Sequence, residues 1–434
     1  MNAPGPPAGE APLSYPAALS ALESRGRYGI RLGLSRVRAL LAALGHPERE
    51  VRGALVAGTN GKGSVIALAG SALRAAGYRV GETPKPHLVT YRERIVVNGA
   101  PIAAADFARL VGEVLPCADR VARRLGPPTE FELLTAVMFR HFAEAGLDVA
   151  LVEVGLGGRL DAVNIIDADV AIVASIGIDH VAYLGNTRES IGFEKAGIFR
   201  KGRPAICGDA DPPKTLVDHA RSIHARLRVI GHDFGFKNHG TQWDFFGKHG
   251  AKRALPMPAL RGAWQLRNAS CVLAALDELR DRLPVSLGEV KRGLTLVSLT
   301  GRLQVLPGRP AIVLDVAHNP QAAQALADGV GDMGFAENTL AVFAILADKD
   351  AAGVIDAMRS RVDRWYVATP PSERAASAET VGKLLAERGL ADATRTFATV
   401  ESALAAARHD AGPNDRIIVF GSFYTVAEAL RFAR

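Results

Sequence analysis

Cysteine is scarce: the 434 residues hold three, Cys117, Cys207 and Cys271, scattered and without C-x-x-C or zinc-like Cys/His spacing. That argues against a disulfide framework or a structural zinc site and suits a cytoplasmic, reducing setting. Long apolar runs are missing too; none approaches the roughly 18 residues a membrane span needs. Residues 1–12 are rich in Pro, Gly and Ala and lack both a basic n-region and an apolar h-region, so they read as a short disordered arm, not a signal peptide. Basic runs are absent although Lys and Arg outnumber Asp and Glu by 52 to 45, a net charge of +7. Spread charge of this kind gives no nucleic-acid footprint, and points instead to phosphates and carboxylates on small molecules. No solenoid-length repeat is visible. The expectation is a cytoplasmic monomer with small-molecule partners and neither nucleic acid nor membrane.

What is present is βα alternation, in two series. The first opens with strand-like Ala54-Leu55-Val56-Ala57, a Gly-rich turn and a helical run over 64–76. Short apolar runs at 149–154 and 170–176 suit parallel strands covered on both faces, beside helical segments 131–145 and 189–199. Short aromatic and polar stretches over 234–254 predict β-hairpins, and helices are expected at 264–281 and 287–297. A second series follows, with strand-like 311–316, 340–346, 365–368 and 416–420, each before a plausible helix.

The turn after the first strand is Gly58-Thr59-Asn60-Gly61-Lys62-Gly63-Ser64. Glycines let backbone N–H groups converge on phosphate oxygens, the helix N-terminus adds partial positive charge, and Lys62 supplies a point cation. The Ser64 hydroxyl can reach a magnesium ion. A Gly-rich βα turn needs no ligand in general, but strand, loop, lysine, hydroxyl and helix here agree on a nucleotide.

GTNGKGS resembles the phosphate loop of Mur ligases and folylpolyglutamate synthases. The stretch from Glu153 to Asn164, EVGLGGRLDAVN, resembles another segment of that family. So do Ser175-Ile176-Gly177-Ile178-Asp179-His180, Arg188-Glu189-Ser190-Ile191-Gly192 and Glu194-Lys195-Ala196-Gly197-Ile198. In the second series Asp315-Val316-Ala317-His318-Asn319-Pro320 and Gly421-Ser422-Phe423-Tyr424 match as well. The resemblance runs over nearly the whole chain beyond the arm. It implies an α/β fold: a P-loop NTPase-like Mur ligase ATP-binding domain over 13–298, a linker at 299–303, and a smaller C-terminal Rossmann-like domain over 304–434.

It also implies a carboxylate–amine ligase that uses ATP and Mg²⁺, with K⁺ as a further cation, through an acyl phosphate. Catalysis of that kind is chiefly positioning and neutralisation of phosphate charge. Lys62 serves the phosphates, and Ser64, Glu153 and His180 are the implied metal ligands. Lys195 is implied to carry a carbamate that holds a second metal; the alternative is a helix-surface lysine paired with Glu194 or Glu189. Nucleotide contacts are expected from Gly58, Thr59, Asn60, Gly61, Gly63 and Asn268, and from Arg302 and Asp315 near the domain junction. His318 and Ser422 are candidates for the incoming glutamate.

About fifty residues precede the loop, too few for the sugar-nucleotide domain of peptidoglycan Mur ligases. Tyr28-Gly29-Ile30-Arg31-Leu32-Gly33-Leu34-Ser35-Arg36 resembles the pterin-side loop of folate ligases, and Thr129-Glu130-Phe131-Glu132 with Thr135 resembles their TxFE–T segment. Phe131 is expected to stack on a pterin or benzoyl ring, with Glu132, Asp161 and Asn164 around it. The pre-loop region is most similar to bacterial enzymes using both dihydropteroate and reduced folates. Rival readings are a Mur-type ligase for another acid and a non-catalytic nucleotide-binding module.

One departure stands out. The family's Ser-Pro-His-Leu, whose serine ligates metal, is here Thr83-Pro84-Lys85-Pro86-His87-Leu88, and a charged ammonium cannot ligate magnesium. Three readings stand: Lys85 takes over part of a metal's electrostatic role, the loop is re-routed so that Thr83 or water serves, or Lys85 points to solvent. The second metal is therefore open.

Overall fold

A computed structural model describes residues 13–25 and 31–432; the arm at 1–12 and Tyr28-Gly29-Ile30 of the pterin-side loop lie outside the described residues. The chain forms two compact units. One comprises the described residues to Met257 together with Leu266–Leu296, the other Pro258–Gln265 with the described residues from Val297 onward.

The first unit is built on an eight-stranded sheet. Its strands are β1 (Gly53–Ala57), β2 (Val80–Thr83), β3 (Val96–Val97), β4 (Ala100–Pro101), β5 (Val149–Glu153), β6 (Val170–Val173), β7 (Pro204–Cys207) and β8 (Arg226–Val229). They lie in the order β4-β3-β2-β5-β1-β6-β7-β8. All neighbours from β2 to β8 pair in parallel, and β3 and β4 form an antiparallel edge. β1, β5 and β6 are buried along their whole length, as their unbroken apolar runs require. The chain leaves β1 in one direction, towards β2, and later places β6 on its other side. That order makes the carboxyl ends of β1, β5 and β6 a topological switch point, where open α/β sheets bind ligands.

The helix that follows β1, Lys62–Ala75, is buried on every face from Gly63 to Leu73. Helix Leu287–Leu296 covers it at close range: Ser71 Oγ donates to Gly293 O at 2.8 Å, and a Cβ on Gly293 would come 2.5 Å from Ala72 Cα. The expected hairpin region is a three-stranded antiparallel meander, β9 (Gly235–Asn238), β10 (Gln242–Gly247) and β11 (Gly250–Pro256), with Trp243 and Phe245 fully buried beneath it.

Helix Glu130–Ala145 starts at a capping box. Glu132 N–H donates to Thr129 Oγ1, and the Glu132 carboxylate accepts from Thr129 N–H at 2.8 Å. The same Glu132 oxygen accepts from Arg36 Nε at 3.0 Å, and both side chains are buried. This ties helix Ser35–Ala43 to the start of the next layer.

The second unit holds β12 (Gln304–Leu306), β13 (Ala311–Leu314), β14 (Thr339–Phe343), β15 (Arg364–Ala368), β16 (Thr394–Phe397) and β17 (Arg416–Phe420), ordered β12-β13-β17-β14-β15-β16. Every pair but β12–β13 is parallel. Its core stacks Phe343 on Phe420, with Trp365 against both rings. Residues 299–303, expected as a linker, belong to this unit. Leu303 is buried in its core and its N–H donates to Asp315 Oδ2 at 2.7 Å, while Gly301 O accepts from Val316 N–H at 3.0 Å. The division falls at 296/297, and 258–265 joins the second unit because Trp264 packs against that core.

Breaking a buried ion pair from one side leaves an uncompensated charge. Arg36→Met should therefore lower unfolding free energy by roughly 3–5 kcal/mol, read as a shift in the urea midpoint with unchanged slope; a change under about 0.5 kcal/mol, the range of ordinary surface substitutions, would show that the pair is not structural.

Candidate functional site

Four loops leave the carboxyl ends of β1, β2, β5 and β6, and they carry most of the first unit's candidate residues. The loop after β1 turns on two glycines with positive φ, Gly58 at 149° and Gly61 at 87°. A Cβ on Gly61 would lie 2.7 Å from Asn268 Oδ1, and its positive φ itself favours glycine there. The loop is laced to the segment after β6. Thr59 N–H donates to Ser175 O, Asn60 N–H donates to Ser175 Oγ, and that hydroxyl donates back to Asn60 O, each at 2.9 Å. Thr59 Oγ1 donates to Gly177 O and accepts from Gly177 N–H. Ser175 is thus a positioning residue absent from the sequence-based set; its spacing from the loop, more than a hundred residues, gave no local signal.

Lys62 opens the helix and its ammonium donates to Gly58 O at 2.8 Å and Thr59 O at 3.3 Å. Ser64, in the first turn of that helix, is 2% exposed. At the end of β5, Glu153 is equally buried; its N–H donates to Thr83 Oγ1 and its Oε2 accepts from Lys85 N–H at 2.9 Å. His180, half-exposed, has a left-handed backbone (φ 52°) and its N–H donates to Asp179 Oδ1.

Lys85 turns inward, which excludes the solvent-facing reading. Its Nζ donates to Glu153 O at 2.6 Å and lies 4.6 Å from the centroid of the Phe131 ring. Burial lowers its pKa to about 8; Asp161 and Glu153 oppose the shift, and Arg94 and Lys62 add to it. Lys195 is 3% exposed, which excludes the surface-lysine alternative. Burial pushes it down to about 7, with Lys62 repelling it and Asp179 drawing it back. Lys85 and Lys195 therefore each feel the charge of Lys62, an arrangement that asks for an anionic ligand.

Three residues expected around a pterin are occupied with holding the frame. Asp161 Oδ2 accepts from Gly155 and Leu156 N–H at 2.9 Å and its Oδ1 from Val163 N–H, fixing the turn after β5. Burial raises its pKa, while Lys85 and those N–H groups hold it down. Asn164 donates to Arg159 O and Gly197 O and accepts from Arg200, tying that turn to the end of helix Arg188–Ala196. Glu132 is the capping and ion-pair residue described above. Phe131 is the member that presents a ring towards Lys85.

In the second unit, Asp315 follows β13 and accepts from Leu303 and Ala317 N–H at 2.7 and 2.8 Å. Burial raises its pKa against the pull of Arg302. The Arg302 guanidinium lies 5.2 Å from the Phe423 ring centroid, and His318 Nδ1 donates to Val316 O at 2.8 Å. Ser422 Oγ accepts from Thr425 N–H at 3.0 Å, starting the helix after β17.

Among the described residues no group of three His, Cys, Asp or Glu could hold a metal by itself. The donors near the phosphate loop are a carboxylate, a hydroxyl and an imidazole. They fit an ion such as Mg²⁺ that takes its remaining ligands from phosphate oxygens and water.

A phosphate loop at the switch point of one α/β unit, followed by a second Rossmann-like unit, defines a Mur ligase. The Mur ligase middle domain model matches residues 56–276, and the model named Mur ligase, glutamate ligase domain matches 301–423. Within that class, the chain belongs to the dihydrofolate synthase/folylpolyglutamate synthase family. It is 40% identical to the Escherichia coli dihydrofolate synthase/folylpolyglutamate synthase over 95% of this chain and 94% of that one. It is 31% identical to the Bacillus subtilis protein of that name, over 96% and 98%. Among solved structures, E. coli FolC in complex with DHPP and ADP superposes with a TM-score of 0.89 at 39% identity, covering 97% of each chain. A bifunctional folylpolyglutamate synthase/dihydrofolate synthase with Mn, AMPPNP and L-glutamate bound superposes at 0.87 and 37% identity, over 97% and 98%.

The loop geometry makes a direct forecast. Gly61→Ala is strained at its φ and drives a methyl into Asn268, so AMPPNP affinity should fall by about tenfold or more, the effect of about 1.4 kcal/mol. Calorimetric titration reads it, with the melting temperature showing that the fold survives; unchanged affinity would mean that the loop does not cradle the nucleotide.

Proposed function

We propose that this chain joins L-glutamate to dihydropteroate and to the glutamyl tail of reduced folates, using ATP with Mg²⁺ and K⁺. The observation that carries the reading is the convergence of the phosphate loop, Glu153 and the ring of Phe131 on one end of the first sheet. The bifunctional relatives and the DHPP, ADP, AMPPNP, Mn and L-glutamate bound in their structures support it.

In the first step a carboxylate oxygen of the acid attacks the γ-phosphorus, an O–P bond forms, and the bond to ADP breaks. The glutamate amine then attacks the acyl carbon, phosphate leaves with the C–O electron pair, and the nitrogen loses a proton. Lys62 and the backbone N–H groups of residues 58–64 neutralise phosphate charge. Ser64, Glu153 and His180 would hold the divalent ion, which supplies charge neutralisation when bound. Asn268, Arg302 and Asp315 are proposed for the nucleotide, and His318 and Ser422 for glutamate. Phe131 is proposed to stack on the pterin-linked ring, with Asp161 and Asn164 shaping the turn beside it. The protein is proposed to act as a cytoplasmic monomer.

Lys195 is proposed to carry a carbamate. Its buried amine, held down to about 7 and so largely uncharged above that pH, is the form that adds to CO₂, with one proton released and a negative charge gained within reach of Lys62.

Purified protein with ATP, Mg²⁺, K⁺ and glutamate should gain a glutamyl mass on both dihydropteroate and tetrahydrofolate, with ADP formed in equal amount. Gain on one acid would make it monofunctional, and gain on neither would move the substrate to another acid class. Separately, ¹³C-bicarbonate should give a carbamate NMR signal at pH 8 that fades as pH falls through about 7, where the amine takes up its proton. Lys195→Ala should show no such signal, and a wild-type spectrum without it at pH 8 would remove the carbamate.

A further inference from the structure

The reaction requires two anions, a carboxylate and a triphosphate, to meet in a site of reduced dielectric, where their repulsion grows. Cations that stand between them solve that problem. Lys62 stands on the phosphate side, donating to the loop carbonyls of Gly58 and Thr59. Lys85 stands on the other side, over the ring of Phe131 and under the influence of Asp161.

Several features show that Lys85 is held in place. It lies between Pro84 and Pro86, so its own backbone is confined to the extended region and its neighbours' φ angles are fixed. Its N–H donates to Glu153 Oε2, and its ammonium donates to Glu153 O at 2.6 Å. An ammonium carries three donors. Among the described residues, Lys85 Nζ makes that one hydrogen bond, which leaves two donors beside an aromatic ring and within electrostatic reach of Lys62. A stiff, partly desolvated cation with spare donors is built to receive an oxyanion.

We propose that Lys85 is the carboxylate-binding cation of the site: its ammonium, fixed between Glu153 O and the Phe131 ring, grips the acid substrate's reacting carboxylate and presents it to the phosphate held at Lys62. The inference rests on the ligase reading above. It makes Lys85 a specificity residue for an acid over its neutral analogue, and it separates acid binding from nucleotide binding.

The test compares wild-type protein, Lys85→Met and Lys85→Arg in the presence of AMPPNP and Mg²⁺. Binding of dihydropteroate and of its carboxamide analogue is followed by pterin fluorescence, and AMPPNP affinity by calorimetry. Wild type should prefer the acid to the amide by about tenfold or more, as expected for a hydrogen bond to a charged group. Lys85→Met should abolish that preference while AMPPNP affinity stays within about twofold, the scatter of a few tenths of a kcal/mol. Lys85→Arg, which keeps charge and volume, should recover part of the preference and also covers the case in which the methionine variant fails to fold. In turnover, KM for the acid should rise more than KM for ATP. An acid-to-amide ratio unchanged in both variants, or a loss confined to AMPPNP, overturns the assignment while wild-type turnover leaves the ligase reading intact. Wild-type protein that binds AMPPNP but turns over neither folate acid removes both.

Discussion

Burying a nucleotide's phosphates beside a second anion is the electrostatic problem around which the first unit is arranged. Each unit charge brought out of water is costly, and like charges about 4 Å apart repel by several kcal/mol at an intermediate dielectric. The protein meets this with lysines that are themselves poorly solvated. Lys62, Lys85 and Lys195 come from three different segments, and burial lowers the pKa of the last two. Glu153 at the end of β5 and Asp161 in the loop after it offset the charge of Lys85, and Asp179 in the loop after β6 offsets that of Lys195. The site is consequently a balanced set of charges waiting for anions.

That balance depends on backbone precision, and the sheet provides it. β1 lies between β5 and β6, so the loops bearing the phosphate cradle, Glu153 and Ser175 emerge side by side. The reciprocal hydrogen bonds of Ser175 with Asn60, and of Thr59 with Gly177, then lock two of those loops together. Behind the cradle, a helix buried on nearly every face cannot tilt without opening the core, so its N-terminus stays aimed at the loop.

Several residues whose motifs suggested ligand contact also hold other residues in place. Asp161 accepts from main-chain N–H groups, Asn164 is shared between main-chain carbonyls and the Arg200 guanidinium, and Glu132 is divided between a helix cap and Arg36. Ser422 likewise starts a helix. The frame that positions a reacting group is as demanding as the group itself. Lys85 is a different case: of the three readings its sequence left open, the solvent-facing one is excluded by its contacts with Glu153 and the Phe131 ring.

Much of the architecture was legible in the sequence by itself. Unbroken apolar runs marked β1, β5, β6, β13, β14, β15 and β17, since strands covered on both faces tolerate no polar alternation. The glycines, lysine and serine of residues 58–64 marked the phosphate cradle, because that chemistry must be local and contiguous. What stayed hidden had no local signature. β8, Arg-Leu-Arg-Val at a sheet edge, and β16, Thr-Arg-Thr-Phe, carry charge that an edge strand can solvate. The unit boundary fell before the expected linker because Leu303 and Trp264 pack into the second core, which no composition shift announces. Only tertiary structure decided which lysines meet, how Ser175 reaches Asn60, and that Lys85 faces Phe131. Those pairings join positions tens to more than a hundred residues apart, and sequence pattern reports periodicity and motif but not the through-space distances on which charge interactions depend.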